Sequence, residues 1–339
     1  MLRVGLLLVM AAFAAASANA QPAVGDRYSA VDTLVCQTER NSDAQECLDG
    51  LRWTPEAFDV VCQPPARERE GDLLIRFPSP RPLGDSTNDL VAMEWYMVRD
   101  SSGKPATAPA VVIVHESGRG MTVGRIFARG MYAQGIHAFL LQLPGYGVRR
   151  SEAVRDETRL LEGMKQGIAD VRRARDAVAV LPGIDSTIIG VQGTSLGGFV
   201  VATAAGLDQG YQRTFIMLAG GNLEKVLFSG QRDAARVRER LHSAGIEDDA
   251  IRALTRPIEP LRLAHRLSAN STWMFCGRRD DVVPPECSRE LAQAAGLDDQ
   301  HFIVLEADHY SGVIYLPIMI TRMKLLMTSP ENSAVDPAR

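Results

Sequence analysis

The sequence lacks an excess of basic residues. Its 339 residues include 37 Lys and Arg against 41 Asp and Glu, so the formal net charge is −4. Proteins that bind nucleic acid or anionic membranes need a cationic surface, so this composition predicts neither partner. Hydrophobic residues at 46% and charged residues at 23% exclude a disordered or collagen-like chain. A chain of this kind is globular and long enough to bury a large core.

Long apolar runs are also scarce. One such run, Val4–Ala16, follows the positive charge of Arg3 and precedes the small-residue ending Ala18-Asn19-Ala20. It is shorter than the ~20 residues that a membrane-spanning helix needs, and the pattern is typical of a secretory signal peptide. We therefore predict a signal peptide over residues 1–20 and a secreted or periplasmic protein that starts at Gln21.

Zinc-type cysteine spacing is absent, because no C-x-x-C or paired Cys/His pattern occurs. We expect no metal and no organic cofactor. Export would permit disulfides, and an odd number of cysteines leaves at least one thiol unpaired. The sequence does not resolve the pairing; we expect Cys276–Cys287 and one pair among the three N-terminal cysteines. The five are Cys36, Cys47, Cys62, Cys276 and Cys287.

The chain divides into segments of different character. Residues 21–70 hold three cysteines and a Pro-Pro pair, and we predict an irregular N-terminal extension there. Residues 71–328 alternate strands with helices, and residues 329–339 are expected to form a flexible tail. A charged helical insertion is predicted over residues 221–268, before the predicted strand Thr272–Phe275, with helices at Asp233–His242 and Asp248–Leu254.

Short apolar runs separated by helical patterns predict an α/β fold. Leu73–Phe77 and Leu90–Val98 are predicted to open it as an antiparallel pair. The following apolar runs are typical of buried parallel strands, so we expect a mostly parallel sheet with helices on both faces. The remaining predicted strands are Ala110–Val114, Ile136–Leu143, Thr187–Gln192, Thr214–Leu218, Thr272–Phe275 and Phe302–Leu305, and the predicted helices of the domain include Thr122–Gln134, Glu152–Leu181 and Leu196–Gly206.

One short motif indicates nucleophilic chemistry. Gly193-Thr194-Ser195-Leu196-Gly197 matches G-x-S-x-G between a predicted strand and a predicted helix. A sharp turn there would expose the serine hydroxyl, and the following helix would offer N–H groups to a developing oxyanion. Because a serine needs a base and the base needs an orienting acid, the motif requires partners farther along the chain.

Those partners follow the last two predicted strands. Gly277-Arg278-Arg279-Asp280-Asp281 comes after one strand, and Asp308-His309-Tyr310 comes after the next. In this order of nucleophile, acid and histidine the chain resembles the alpha/beta-hydrolase family over about residues 71–327. The resemblance implies Ser195 as nucleophile, Asp280 as acid and His309 as base. It extends to dienelactone hydrolases and acetyl xylan esterases, although dienelactone hydrolases carry Cys where Ser195 stands.

The resemblance also implies an oxyanion hole and a substrate pocket. His115-Glu116-Ser117-Gly118 occupies the position where the family often has His-Gly-x-Gly, with Glu116 in place of the first glycine. The implied donors are the N–H of Leu196 and one N–H from Glu116 or Ser117. His115, Tyr146 and Tyr310 are expected to line the pocket.

These residues predict a serine hydrolase that cleaves carboxylic esters of a small molecule or a polymer. Two alternatives remain open at this point. The first is a peptidase or amidase with the same triad, although a fifty-residue extension cannot supply the propeller typical of prolyl-oligopeptidase relatives. The second is a catalytically silent binding protein that keeps the fold.

Overall fold

A computed structural model describes residues 21–151 and 160–329. The predicted signal peptide, the start of the predicted Glu152–Leu181 helix and residues 330–339 of the predicted tail lie outside the described residues. The strands are β1 (Arg27–Val31), β2 (Ala57–Gln63), β3 (Leu73–Pro78), β4 (Leu90–Tyr96), β5 (Ala108–Val114), β6 (His137–Gln142), β7 (Ile184–Thr194), β8 (Arg213–Met217), β9 (Thr272–Gly277) and β10 (Phe302–Leu305). The α-helices are α1 (Ser42–Leu51), α2 (Thr122–Ala133), α3 (Leu160–Ala179), α4 (Leu196–Asp208), α5 (Leu223–Ser229), α6 (Asp233–Ser243), α7 (Asp248–Thr255), α8 (Pro285–Ala294) and α9 (Leu316–Thr328).

The strands form a single mixed sheet in the order β1-β2-β3-β4-β6-β5-β7-β8-β9-β10. From β1 to β6 neighbouring strands are antiparallel, and from β6 to β10 they are parallel. The predicted α/β class and mostly parallel sheet are confirmed. The central strands are buried on both faces, which explains why their sequences are continuously apolar.

Helices cover both faces of the sheet. α2 and α9 pack on one face, where Phe127 and Met323 join an apolar cluster with Phe215 of β8. α3, α4 and α8 pack on the other face around Val112, Val191 and their neighbours. Every apolar face of the parallel strands is therefore covered, and the open positions lie at the strand ends.

The prediction of an irregular segment over residues 21–70 is wrong, because this segment forms two strands and a helix. β1 and β2 extend the sheet on its antiparallel side, with Arg27 opposite Val61. α1 begins after Asn41, whose side chain accepts hydrogen bonds from the N–H groups of Asp43 and Ala44. The sequence signal of β1 was weak because Ala30 is its single buried residue, whereas β2 does alternate buried with more exposed residues.

Buried arginines hold this segment to α3. Arg173 donates to both carboxylate oxygens of Asp32, at 2.9 Å from Nε and 2.5 Å from Nη2. Arg172 donates from Nη2 to Thr33 Oγ1 at 3.0 Å, and it also forms a two-pronged pair with Asp208 of α4, with both distances at 2.7 Å. These pairs are almost fully buried, so each guanidinium satisfies a carboxylate that would otherwise be very costly to bury.

The expected Cys276–Cys287 disulfide is wrong, because all five cysteines are free thiols in the structure. The Cys276 thiol lies beside the carbonyl oxygen of Gly277 at 3.5 Å and interacts with Ser288 of α8. Successive helix residues point about 100° apart, so Cys287 and Ser288 are directed to different sides of α8. The expected pair among Cys36, Cys47 and Cys62 is also absent: Cys36 is exposed, and the buried Cys47 thiol lies 3.6 Å from the carbonyl oxygen of Pro257.

The predicted helical insertion is present between β8 and β9. It contains α5, α6 and α7, followed by short 3₁₀ turns at Arg256–Ile258 and Pro260–Arg266. We call residues 221–268 the cap. In the part of the chain that the structure describes, no helix is long and apolar enough to span a bilayer.

Candidate active site

Ser195 stands on a strained turn at the carboxyl end of β7. Its backbone has φ 52° and ψ −115°, a conformation that non-glycine residues rarely adopt and that costs about 1–3 kcal/mol. Its N–H is bonded to the carbonyl oxygen of Met217 at 2.8 Å. The turn therefore fixes the Ser195 side chain at the sheet edge, and the backbone N–H of Ser195 is already used in a hydrogen bond.

The two glycines of the motif allow close backbone contacts on either side of this serine. A Cβ on Gly193 would lie 2.2 Å from the carbonyl oxygen of Gly197, and one on Gly197 would lie 2.2 Å from that of Val114. No side chain fits at those distances. The second contact also places the start of the loop after β5 beside the first turn of α4.

His309 connects the serine to a buried carboxylate. Its Nε2 lies 2.9 Å from Ser195 Oγ, and its Nδ1 lies 2.7 Å from Asp280 Oδ2. The three residues follow β7, β9 and β10, and the carboxyl ends of parallel strands meet at one edge of the sheet. The structure thus brings together the three residues that the sequence proposed as a triad.

Asp280 and Asp281 point in different directions. The other oxygen of Asp280, Oδ1, accepts hydrogen bonds from the N–H groups of Val282 and Val283, and the side chain is 2% exposed. Asp281 pairs with Arg232 of the cap at 2.9 Å. Asp280 alone is therefore placed to orient the imidazole.

The neighbour of the histidine, Asp308, stabilises its own loop. Its Oδ1 accepts hydrogen bonds from the N–H groups of Tyr310 and Ser311 at 2.9 and 2.8 Å. These bonds hold the pKa of Asp308 below its usual range, the largest effect coming from Ser311. The carboxylate thus fixes the turn that carries His309 and does not face the imidazole.

His115 does not line a pocket as expected. It is fully buried, its Nδ1 lies 2.6 Å from the carbonyl oxygen of Glu116, and its Nε2 accepts from the N–H of Leu143 at 3.1 Å. Burial lowers the pKa of His115 to about 4, so the ring is neutral near pH 7. With both ring nitrogens on backbone groups, His115 links two loops and presents no atom to a substrate.

Glu116, which replaces a family glycine, caps α2. Its carboxylate accepts hydrogen bonds from the N–H groups of Val123 and Gly124, both at 3.1 Å. These are N–H groups of the first helical turn, which lack acceptors within the helix. The substitution therefore exchanges a flexible position for an anchor between the loop after β5 and the next helix.

The two predicted pocket tyrosines occupy different environments. Tyr146 donates its hydroxyl to the carbonyl oxygen of Ser117 at 3.0 Å and packs on the His115 ring. Tyr310 is 44% exposed, and its ring contacts His309 edge-on at 5.6 Å. Tyr146 thus supports the loop after β5, while Tyr310 lies at the surface beside the histidine.

Sequence reasoning missed a charged pair beneath this loop. Glu94 of β4 is fully buried and pairs with Arg125 of α2 at 2.6 Å. Arg125 also donates to the carbonyl oxygen of Gly120 at 3.0 Å, at the end of the loop. Glu94 inside an apolar strand was the available signal, because a buried carboxylate requires a partner.

Within residues 21–151 and 160–329, no group of three or more His, Cys, Asp or Glu side chains is arranged to hold a metal ion. The arrangement that is present supports nucleophilic attack by a serine, with a base and an orienting acid in hydrogen-bond contact.

Comparison with known sequences finds distant relatives. No protein-family model matches the chain. Two uncharacterised proteins from two strains of Mycobacterium tuberculosis are each 24% identical to it over 230 residues, covering 65% of this chain and 48% of theirs. The chain thus spans about half the length of the curated relatives it matches.

Comparison with solved structures identifies the fold. Acetyl xylan esterase from Paenibacillus sp. R4 superposes with a TM-score of 0.58 at 15% identity, covering 86% of this chain and 95% of the other. Acetyl xylan esterase 1 from Thermoanaerobacterium sp. JW/SL YS485 gives the same score and identity, covering 89% and 97%. A puromycin-hydrolyzing peptidase from Mycobacterium tuberculosis gives 0.56 at 16% identity, covering 80% and 45%. The chain has the alpha/beta-hydrolase fold, as its resemblance to that family implied.

Proposed function

We propose that the protein is a serine hydrolase that cleaves carboxylic esters through an acyl-enzyme on Ser195. The observation that carries this proposal is the continuous hydrogen-bonded chain from Asp280 through His309 to the strained Ser195. Strained backbone is retained where surrounding structure demands it, and it clusters at functional sites. A turn serine without a catalytic role would need neither the strain nor the buried acid.

The proposed reaction starts from the neutral His309. Asp280 accepts a hydrogen bond from the Nδ1–H group, which leaves the lone pair of Nε2 to receive the Ser195 hydroxyl proton as Oγ bonds to the ester carbon. The imidazolium then gives that proton to the departing alcohol as the ester C–O bond breaks. Water, activated by the same nitrogen, hydrolyses the acyl-enzyme to the free acid.

Ser117 is the better candidate for the second oxyanion donor. The carbonyl of Glu116 and the N–H of Ser117 belong to one trans peptide and point in opposite directions. Because His115 bonds to that carbonyl at 2.6 Å, it fixes the direction of the Ser117 N–H as well. We propose that this group and the Leu196 N–H, at the start of α4, bind the oxyanion.

An ester substrate is favoured over an amide by how the similar structures align. The two acetyl xylan esterases are matched over 95% and 97% of their length. The puromycin-hydrolyzing peptidase and an acylaminoacyl peptidase are matched over 45% and 52%. This chain thus matches nearly the full length of the two esterases but only about half the length of the two peptidases. We therefore take ester hydrolysis as the first candidate and amide hydrolysis as the second.

The experiment combines active-site labelling with two substrate series. A fluorophosphonate should label Ser195 in the wild type and leave Ser195→Ala unlabelled. p-Nitrophenyl esters of graded acyl length should be hydrolysed faster than the matching p-nitroanilides. Faster anilide cleavage would establish the amidase alternative, and a wild type that takes no label would establish a silent binding protein.

We further propose that the protein is exported with cleavage after Ala20. The support is the charged start and apolar run of residues 3–16, followed by the small-residue ending. Expression in a bacterium with a periplasm, followed by fractionation and N-terminal sequencing, should give a periplasmic or secreted chain that starts at Gln21. An uncleaved chain in the cytoplasm would contradict export.

A further inference from the structure

The turn between α5 and α6 of the cap lies against the loop of the catalytic acid. The N–H of Gln231 donates to the carbonyl oxygen of Asp281 at 2.7 Å. Arg232 follows with φ 49° and ψ −109°, a left-handed conformation that is uncommon for a non-glycine residue. Strain of this kind persists only where the surrounding contacts fix the residue.

The guanidinium of Arg232 touches the neighbours of two triad residues. Its Nε lies 2.9 Å from Asp281 Oδ2, and its central carbon lies 5.1 Å from the centre of the Tyr310 ring. Asp281 directly follows Asp280, and Tyr310 directly follows His309. One side chain of the cap therefore joins the acid loop to the histidine loop.

The next cap residue strengthens the contact with the histidine loop. Partial burial and a hydrogen bond with Asp233 raise the pKa of the Tyr310 hydroxyl. The Tyr310 ring is thus held at its face by Arg232 and at its hydroxyl by Asp233, and both residues come from the start of α6.

We propose that Arg232 is a positioning residue for the triad, an inference that rests on the proposed hydrolase function. The acid and the histidine follow different strands, and β10 is a four-residue strand paired with β9 at the sheet edge. Backbone bonds such as that from the Arg278 N–H to Leu305 tie the two loops near their strands. Arg232 ties them at the far end, beside the reacting groups.

The chemistry makes this tie consequential. A misplacement of about 1 Å between catalytic groups can reduce the rate by as much as about 100-fold. Arg232 touches neither Ser195 nor the imidazole in the structure, so its loss should act on turnover through the geometry of Asp280 and His309. Substrate affinity should change little.

Arg252 supplies a matched control inside the cap. Its Nε lies 2.9 Å from Glu224, and its central carbon lies 5.0 Å from the Phe228 ring centre. Its side chain is 45% exposed, against 49% for Arg232. Arg252→Gln removes the same two kinds of interaction, an ion pair and a cation–π contact, without touching either catalytic loop.

The test compares wild type, Arg232→Gln and Arg252→Gln in ester hydrolysis and in the rate of fluorophosphonate labelling. Arg232→Gln should lower kcat and the labelling rate on the order of tenfold, with KM within about twofold. Arg252→Gln should stay within about twofold of wild type in all three measurements. Thermal unfolding of each variant reports whether the cap remains folded.

Arg232→Gly keeps the proposal testable if the glutamine variant does not fold, because glycine relieves the backbone strain while removing the guanidinium. It should show the same loss of kcat. Two outcomes with an active wild type would overturn the positioning role alone. In one, the Arg232 variants have the same kcat and labelling rate as Arg252→Gln; in the other, the Arg232 variants differ from wild type only in KM. A wild type that takes no label would overturn the hydrolase function and this inference together.

Discussion

Two regions of the molecule pair buried carboxylates with basic side chains, and only one of them has the geometry that the proposed reaction needs. Along α3, Asp32 and Asp208 are paired with Arg173 and Arg172. At the sheet edge, Asp280 is paired with His309. A guanidinium stays protonated throughout the physiological range, whereas an imidazole gains and loses a proton near neutral pH. An aspartate therefore has a structural role in the first region, whereas in the second an aspartate is placed for the proposed catalysis.

The two regions also differ in how the carboxylate oxygens are used. Both oxygens of Asp32 bond to Arg173, and Oδ2 also accepts from the Trp53 indole at 2.9 Å. Asp280 gives one oxygen to backbone N–H groups and reserves the other for His309. The backbone hydrogen bonds fix the orientation of the Asp280 carboxylate, so that its remaining oxygen can accept a hydrogen bond from one nitrogen of the His309 ring.

The largest expected effect comes from removing the proposed nucleophile, Ser195. Ser195→Ala should lower ester turnover by about 10⁶-fold, because the covalent route is lost. Unfolding by urea should be unchanged, since the backbone bond of residue 195 to Met217 does not need the hydroxyl. Residual activity within about tenfold of wild type would contradict the mechanism.

Neutralising the proposed catalytic acid should have the next largest effect. Asp280→Asn should lower turnover by about 10⁴-fold, because an amide cannot hold the same imidazole tautomer or stabilise the imidazolium. Asp281→Asn, the adjacent control, should stay within about tenfold because its carboxylate faces Arg232. If the two variants rank the other way in kcat, the wrong aspartate has been assigned.

In the structural region the same kind of change should affect stability and spare activity. Arg173→Met would leave Asp32 buried without its cation, so the free energy of unfolding should fall by about 3–5 kcal/mol. Arg27→Met breaks an exposed pair with Asp59 and should cost no more than about 1 kcal/mol. Urea unfolding measures both.

The kcat of folded Arg173→Met should remain within about twofold of wild type, because the pair touches no catalytic loop. A large loss of kcat at unchanged stability would erase the distinction between the two regions.

A buried imidazole without a carboxylate sharpens the comparison further. Burial lowers the pKa of His115 to about 4, while an unfolded histidine titrates near 6.5. Between these values the unfolded state binds a proton that the native state does not. This contribution to stability is full above pH 6.5 and falls by about 3 kcal/mol as pH drops to 4.

His115→Gln removes the titrating group and isolates its effect. The difference in unfolding free energy between wild type and variant should shrink by about 3 kcal/mol from pH 7 to pH 4. Other groups titrate equally in both proteins and cancel. A difference that stays constant over this range would show that His115 does not titrate as its burial implies.

Local patterns in the sequence were sufficient for the fold class and for the position of the three central residues. Continuous apolar strands separated by helices predicted a parallel sheet, and G-x-S-x-G at a strand-to-helix junction marked Ser195. The motifs after β9 and β10 marked Asp280 and His309. Each of these signals lies within a few residues, where backbone conformation and side-chain periodicity are encoded directly.

Only the tertiary structure decided which distant groups meet. It joined residues 21–63 to α3 through Asp32 and Arg173, which are 141 positions apart, and it left Cys276 beside Ser288 instead of Cys287. In the folded chain His115 links two loops, and Glu116 accepts hydrogen bonds from the first turn of α2. Arg232 contacts the loops that carry Asp280 and His309. Ion pairs and caps between distant segments leave no periodic trace along the chain, because their partners are chosen by packing.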